Sequence, residues 1–79
     1  MRERRVFESI SNFAKANCVK IKFEYDCVGN LTITMWRGKH SISRTIDHFY
    51  FMWLVDSEDS VFFHLNDMLE KIMESEKYE

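Results

Sequence analysis

The sequence predicts an α+β fold: a three-stranded antiparallel β-meander with helices packed on one face, in the order α-βββ-α-α. Three observations lead there. Two turn signals, Gly29-Asn30 and Gly38-Lys39, separate three runs in which apolar and polar residues alternate. Apolar residues recur at helical spacing before the first run and again toward the end of the chain. The chain has no proline and only two glycines, so no strong breaker interrupts the elements outside those turns.

The first helix is expected over roughly Glu3–Ala16, where Val6, Ile10, Phe13 and Ala14, with Phe7, share one stripe. Arg2, Arg4 and Arg5 would lie at the positive end of its dipole, which disfavours cations. A shorter helix capped by Ser9, with "RRVF" extended, therefore competes for the start. Asn17 ends it. In "VKIKFEY", Val19, Ile21, Phe23 and Tyr25 point inward, and Lys20, Lys22 and Glu24 point out. "DCVGN" turns the chain, because Gly and Asn tolerate positive φ. "LTITMW" then places Leu31, Ile33 and Met35 inward and Thr32, Thr34 and Trp36 outward. Gly38-Lys39 fits a two-residue type II′ turn, with Gly at the first central position. "HSISRTI" completes the meander, with Ile42 and Ile46 inward and Ser41, Ser43 and Thr45 outward.

"DHFYFMWLV" reads as a helix capped by Asp47, and a strand over Phe49–Val55 is the alternative, since aromatics also favour sheets. "DSEDS" breaks the chain and loads acids where a further helix would start. In "VFFHLNDMLEKIMES", Val61, Leu65, Met68 and Ile72 recur at helical spacing, broadened by Phe62, Leu69 and Met73.

With 79 residues, 46% hydrophobic and 30% charged, the chain reads as a single α+β domain over 1–79, at a size where one core is barely sufficient. No apolar run approaches the roughly 18 residues of a membrane span. The N-terminus lacks the apolar stretch of a secretory signal. A cytoplasmic location without membrane contact is expected. Cys18 and Cys27 bracket an extended strand, which separates them by about 30 Å, whereas a disulfide needs Cα atoms within about 7 Å. Both should be free thiols. The net charge of −2 is unevenly distributed: residues 1–45 carry nine Lys/Arg against four Asp/Glu, and residues 46–79 carry two against nine. A basic front and an acidic back either complement one another within the fold or between subunits, or mark separate surfaces.

No convergent acid, base and nucleophile stands out. His40, His48 and His64 are scattered and match neither HExxH nor a zinc spacing. An enzyme is not expected, and neither is a cofactor or a metal.

Recognition is the remaining class. The outer sheet face offers Lys20 and Lys22 among hydroxyls, and the "TMWRGKHSIS" hairpin adds Trp36, Arg37, Lys39 and His40, an anchor composition for interfaces. Together these six are the expected partner-binding residues. The seven consecutive apolar residues Phe49 to Val55 exceed what one helix stripe can bury. The surplus, Phe49, Tyr50, Met52 and Trp53, is expected at an oligomer interface, with a homodimer or a tight complex with another protein as the outcome. The acidic residues Asp56, Glu58, Asp59, Asp67, Glu70, Glu74, Glu76 and Glu79 form a third candidate surface, fit to occupy a basic groove.

The αβββα order is similar to a double-stranded-RNA-binding domain, a resemblance that implies a lysine cluster at the start of the last helix. Here that stretch is "DSEDSVFFHLND", of opposite sign. The α-βββ-α-α order, small size and acidic tail also resemble small phage anti-CRISPR-type inhibitors. That resemblance implies a non-catalytic protein that binds and blocks a host defence nuclease in the host cytoplasm. A nucleic-acid-binding module using Arg2, Arg4, Arg5, Lys20, Lys22, Arg37 and Lys39 is the alternative.

Overall fold

Local chemistry builds each element in turn. The computed structural model describes residues 2–78, with side chains for 5–57 and 60–78. The expectations placed on the side chains of Arg2, Arg4, Glu58, Asp59 and Glu79 lie outside the described residues. Helix α1 covers Arg2–Asn17, so the chain takes the long helix and not the Ser9-capped one. Val6 and Ile10 are buried on its inner stripe, and the long helix sets Val6 one turn from Ile10 in the core. Its C-terminus closes as a Schellman motif. Cys18 adopts φ +53°, and the Val19 amide donates back to the Ala14 carbonyl at 3.1 Å. The Asn17 side-chain amide donates to the Phe13 carbonyl at 2.9 Å.

Strands β1 (Lys20–Tyr25), β2 (Asn30–Arg37) and β3 (His40–Asp47) form an antiparallel sheet in the order β1-β2-β3. In the first turn, Asp26 Oδ1 accepts from the amides of Val28 and Asn30, both at 2.9 Å, and Gly29 takes φ +88°. In the second, Gly38 has φ +60° while Lys39 stays at negative φ, the type II′ pattern. The register sets Ile21 opposite Met35, Phe23 opposite Ile33, Ile33 opposite Arg44 and Met35 opposite Ile42, so all of these share one face.

Helix α2 (His48–Asp56) starts directly at the end of β3, where the Asp47 carboxylate accepts from the Phe49 amide at 2.7 Å. The strand alternative for Phe49–Val55 is thereby excluded. Ser57 alone joins α2 to α3 (Glu58–Lys77). Its amide donates to Leu54, and its carbonyl accepts from Ser60. Among the described residues there are three helices and one sheet, in the order α-βββ-α-α, and the helices cover one sheet face. The core between them joins Val6 and Ile10 of α1, Leu31, Ile33 and Met35 of β2, Phe51, Leu54 and Val55 of α2, and Val61, Leu65, Met68, Leu69 and Ile72 of α3. Met35, Leu65 and Met68 are wholly enclosed. Each such side chain contributes about 1.5–3 kcal/mol. Cys18 and Cys27 are free and exposed.

Tyr25 departs from its expected inward position. It keeps the core-face register but lies at the end of the sheet, half exposed, with its hydroxyl 2.9 Å from His48 Nδ1.

Candidate functional site: the aromatic face of helix α2

Helix α2 is short and apolar nearly all the way round, so its burial is a matter of geometry alone. Phe51, Leu54 and Val55 fall on one side and are buried, with the Phe51 ring 5.8 Å from Phe23. The remaining positions are forced outward at 100° per residue. Phe49 is 81% exposed and Trp53 61%, and Met52 and Tyr50 are also exposed. Phe49 and Trp53 stand one turn apart and form the crest of the helix.

A groove lies on each side of that crest. The first, about 440 Å³, sits at the end of the sheet between the Asp26–Gly29 turn and the start of α2, lined by Tyr25, Val28, Asn30, Asp47, His48 and Phe49. The second, about 380 Å³, lies between α2 and α3 and is lined by Tyr50, Trp53, Leu54, Ser60, Phe63 and His64. Tyr50 and Trp53 rings lie nearly parallel at 6.0 Å, and Phe63, 73% exposed, meets His64 edge-on at 5.9 Å.

A polar chain runs under the second groove. Arg44 points from β3 toward α3 and meets His64 Nδ1 at 3.0 Å and Asp67 Oδ2 at 2.5 Å. Lys71 reaches the same carboxylate oxygen at 2.9 Å. A guanidinium only donates, so His64 Nδ1 accepts, and Nε2–H donates to the Tyr50 hydroxyl at 2.9 Å. The imidazole is thus held neutral in one tautomer. Burial, and then the neighbouring Arg44 charge, lower the His64 pKa below its ordinary value, outweighing the opposing pull of Asp67. Hydrogen bonds from Arg44 and Lys71 hold the Asp67 carboxyl below the usual carboxylate range.

The hairpin residues do not form one surface. Trp36 lies on the open sheet face, with Lys20 Nζ 5.3 Å from its ring centroid. Lys22 shares that face and pairs with Glu24 at 3.2 Å. Thr32–Thr45 and Thr34–Ser43 hydroxyl pairs fill the rest of it. Arg37 and His40 face each other on the opposite, helix-covered side, where Arg37 pairs with Glu76 of α3 at 3.4 Å. Lys39 is exposed at the turn.

Sequence reasoning missed Arg44, His64 and Phe63 as members of one site. Arg44 alternates with Ile42 and Ile46, so its place on the helix side was readable, and a cation there calls for an acid on the covering helix. Comparison of the chain with protein-family models, curated proteins and solved structures finds no match. Among the described residues, no cluster of His, Cys, Asp and Glu is arranged to hold a metal, and no helix is long and apolar enough to cross a membrane.

Proposed function

We propose that this chain is a small protein-interaction module and that the outer face of α2, with the two grooves beside it, is its working surface. The observation that carries the reading is the exposure of Phe49, Tyr50, Met52 and Trp53 on a helix whose core duty is already met by three other side chains. Large contiguous aromatic exposure marks contact surfaces, and Trp and Tyr dominate their energetics. Binding and blocking, the role implied by the resemblance to anti-CRISPR-type inhibitors, needs only such a surface and no catalytic group.

The basic front supports the nucleic-acid alternative less well. Lys22 pairs with Glu24 and Arg37 with Glu76, so two of the cations that reading needs are already matched by carboxylates within the fold.

The test is co-purification from the native host with Phe49→Ser/Trp53→Ser beside Trp36→Ala/Arg37→Ala. The proposal expects the α2 pair to lose the bound protein with the thermal midpoint shifted by only a few degrees. Loss only in the hairpin pair would move the working surface to the sheet, and a partner-free monomer would end the proposal.

A further inference from the structure

We propose that the free edge of β3 pairs antiparallel with β3 of a second copy of this chain, about a two-fold axis at Ser43, so that two sheets join into one. The pairing goes beyond the reading of α2 and leaves that helix open. β3 ends the strand order β1-β2-β3 and pairs with β2 along all of its 8 residues without a bulge. Arg37 and His40 flank the two-residue turn and exchange both backbone hydrogen bonds. By alternation Ile42, Arg44 and Ile46 do the same with Met35, Ile33 and Leu31. The N–H and C=O groups of Ser41, Ser43 and Thr45 therefore point away from β2, and the occupant whose groups match that spacing is another strand.

The two edges of the sheet differ. β1 exposes Lys20 and Lys22, the residue type that discourages strand pairing. Between the turn and Asp47, β3 exposes only Ser41, Ser43 and Thr45, and it contains no proline. Its one arginine, Arg44, is held beneath the sheet by His64 and Asp67. Charge then selects the partner strand and its register. The outward groups meet only when odd-numbered residues stand opposite odd-numbered ones. With the axis at Ser43, Ser41 faces Thr45 of the second copy, and exposed Lys39 faces its exposed Asp47 at both ends of the pair. The Asp47 cap on Phe49 uses one carboxylate oxygen. On the covered side Ile42 meets Arg44 and His40 meets Ile46, so no like charges are opposed. An axis at Arg44 would set two guanidiniums against each other, and one at Ile42 would set His40 against Arg44. A foreign strand could satisfy the backbone equally well, but the match of Lys39 to Asp47 is a property of this strand against itself.

The experiment combines sedimentation of the intact protein with cysteine cross-linking in a Cys18→Ser/Cys27→Ser background under a mild oxidant. Sedimentation is expected to show a dimer that dissociates on dilution. Ser43→Cys should oxidise to a covalent dimer, because Cα atoms of a hydrogen-bonded pair lie about 5.5 Å apart. Ser41→Cys and Thr45→Cys should each stay unlinked alone and cross-link to each other when mixed. Lys39→Glu should weaken the dimer roughly two- to thirtyfold, the range for losing two exposed ion pairs. Phe49→Ser/Trp53→Ser should leave the dimer intact, which separates this pairing from the use of α2 as a contact. A monomer at every concentration, equal cross-linking at all three positions, a dimer indifferent to Lys39→Glu, or one that Phe49→Ser/Trp53→Ser dissolves would each overturn it.

Discussion

Arg44 stands between Ile42 and Ile46 on the covered side of the sheet, and a guanidinium in that position needs acceptors. It finds them in His64 and Asp67, twenty and more positions along the chain. Alternation along β3 reveals where Arg44 points. It cannot reveal which turn of α3 lies opposite, because periodicity encodes a face and not the register between a sheet and a helix. The geometry has a pH signature. Both His64 and Asp67 have lowered values in the fold, so the unfolded chain takes up protons first as pH falls. Their stabilising contribution is present above the ordinary values of 6.5 and 3.8, and is lost as pH drops through the lowered folded ones. Urea midpoints should therefore fall from pH 7 to pH 5, and the fall should be shallower in Arg44→Leu. In that variant the His64 titration, followed by NMR, moves up toward its ordinary value. An unchanged His64 titration would show that Arg44 does not set its protonation.

At the scale of elements, caps and turns were the most legible features. Asp47 closes α2, Gly38 supplies the type II′ turn and Gly29 the positive φ of the first, all for local reasons that act within a few residues. Asp47→Ala should lower stability by about 1 kcal/mol, read as a shift in denaturant midpoint at constant slope. The end of α1 holds a residue that sequence alone does not mark. Cys18 occupies the left-handed position that glycine prefers. Cys18→Gly relieves that strain but loosens the unfolded chain, and the net gain should be about 0.5–1 kcal/mol. A loss of stability on that substitution would mean that the exposed thiol makes a contact outweighing its backbone. The start of α1 was ambiguous for a different reason, since three arginines oppose the dipole while Val6 favours helix, and burial of Val6 decides it.

For the whole molecule, part of the uneven charge of the sequence is matched across the contact between sheet and last helix. Arg37 meets Glu76 and Arg44 meets Asp67, so the basic sheet is held against the acidic last helix. The Arg37–Glu76 pair is one-third exposed, and its loss should change stability by no more than about 1 kcal/mol. The contrast between core and outer face is steeper. Met35→Ala opens a cavity in a fully enclosed site and should cost about 2–5 kcal/mol. Phe49→Ser/Trp53→Ser removes exposed rings and should shift the thermal midpoint by only a few degrees, about ±0.5 kcal/mol per site. The surplus of rings in "FYFMWLV" was readable by counting what one stripe can bury. The split of the hairpin cluster was readable too, since Trp36 and Ser41 outward put Arg37 and His40 on the covered face by alternation, whereas the pairing of Arg37 with Glu76 depends on how α3 lies across the sheet.

The two tryptophans stand on opposite sides of the molecule, Trp36 on the open sheet and Trp53 on α2, and that placement allows a direct measurement. Hydroxyl-radical footprinting, read by mass spectrometry on the complex recovered from the native host and on the free chain, compares oxidation at the two sites. Protection of Trp53 with Trp36 unchanged is the result expected if α2 is the contact surface. Protection of Trp36 with Trp53 still freely oxidised would contradict it.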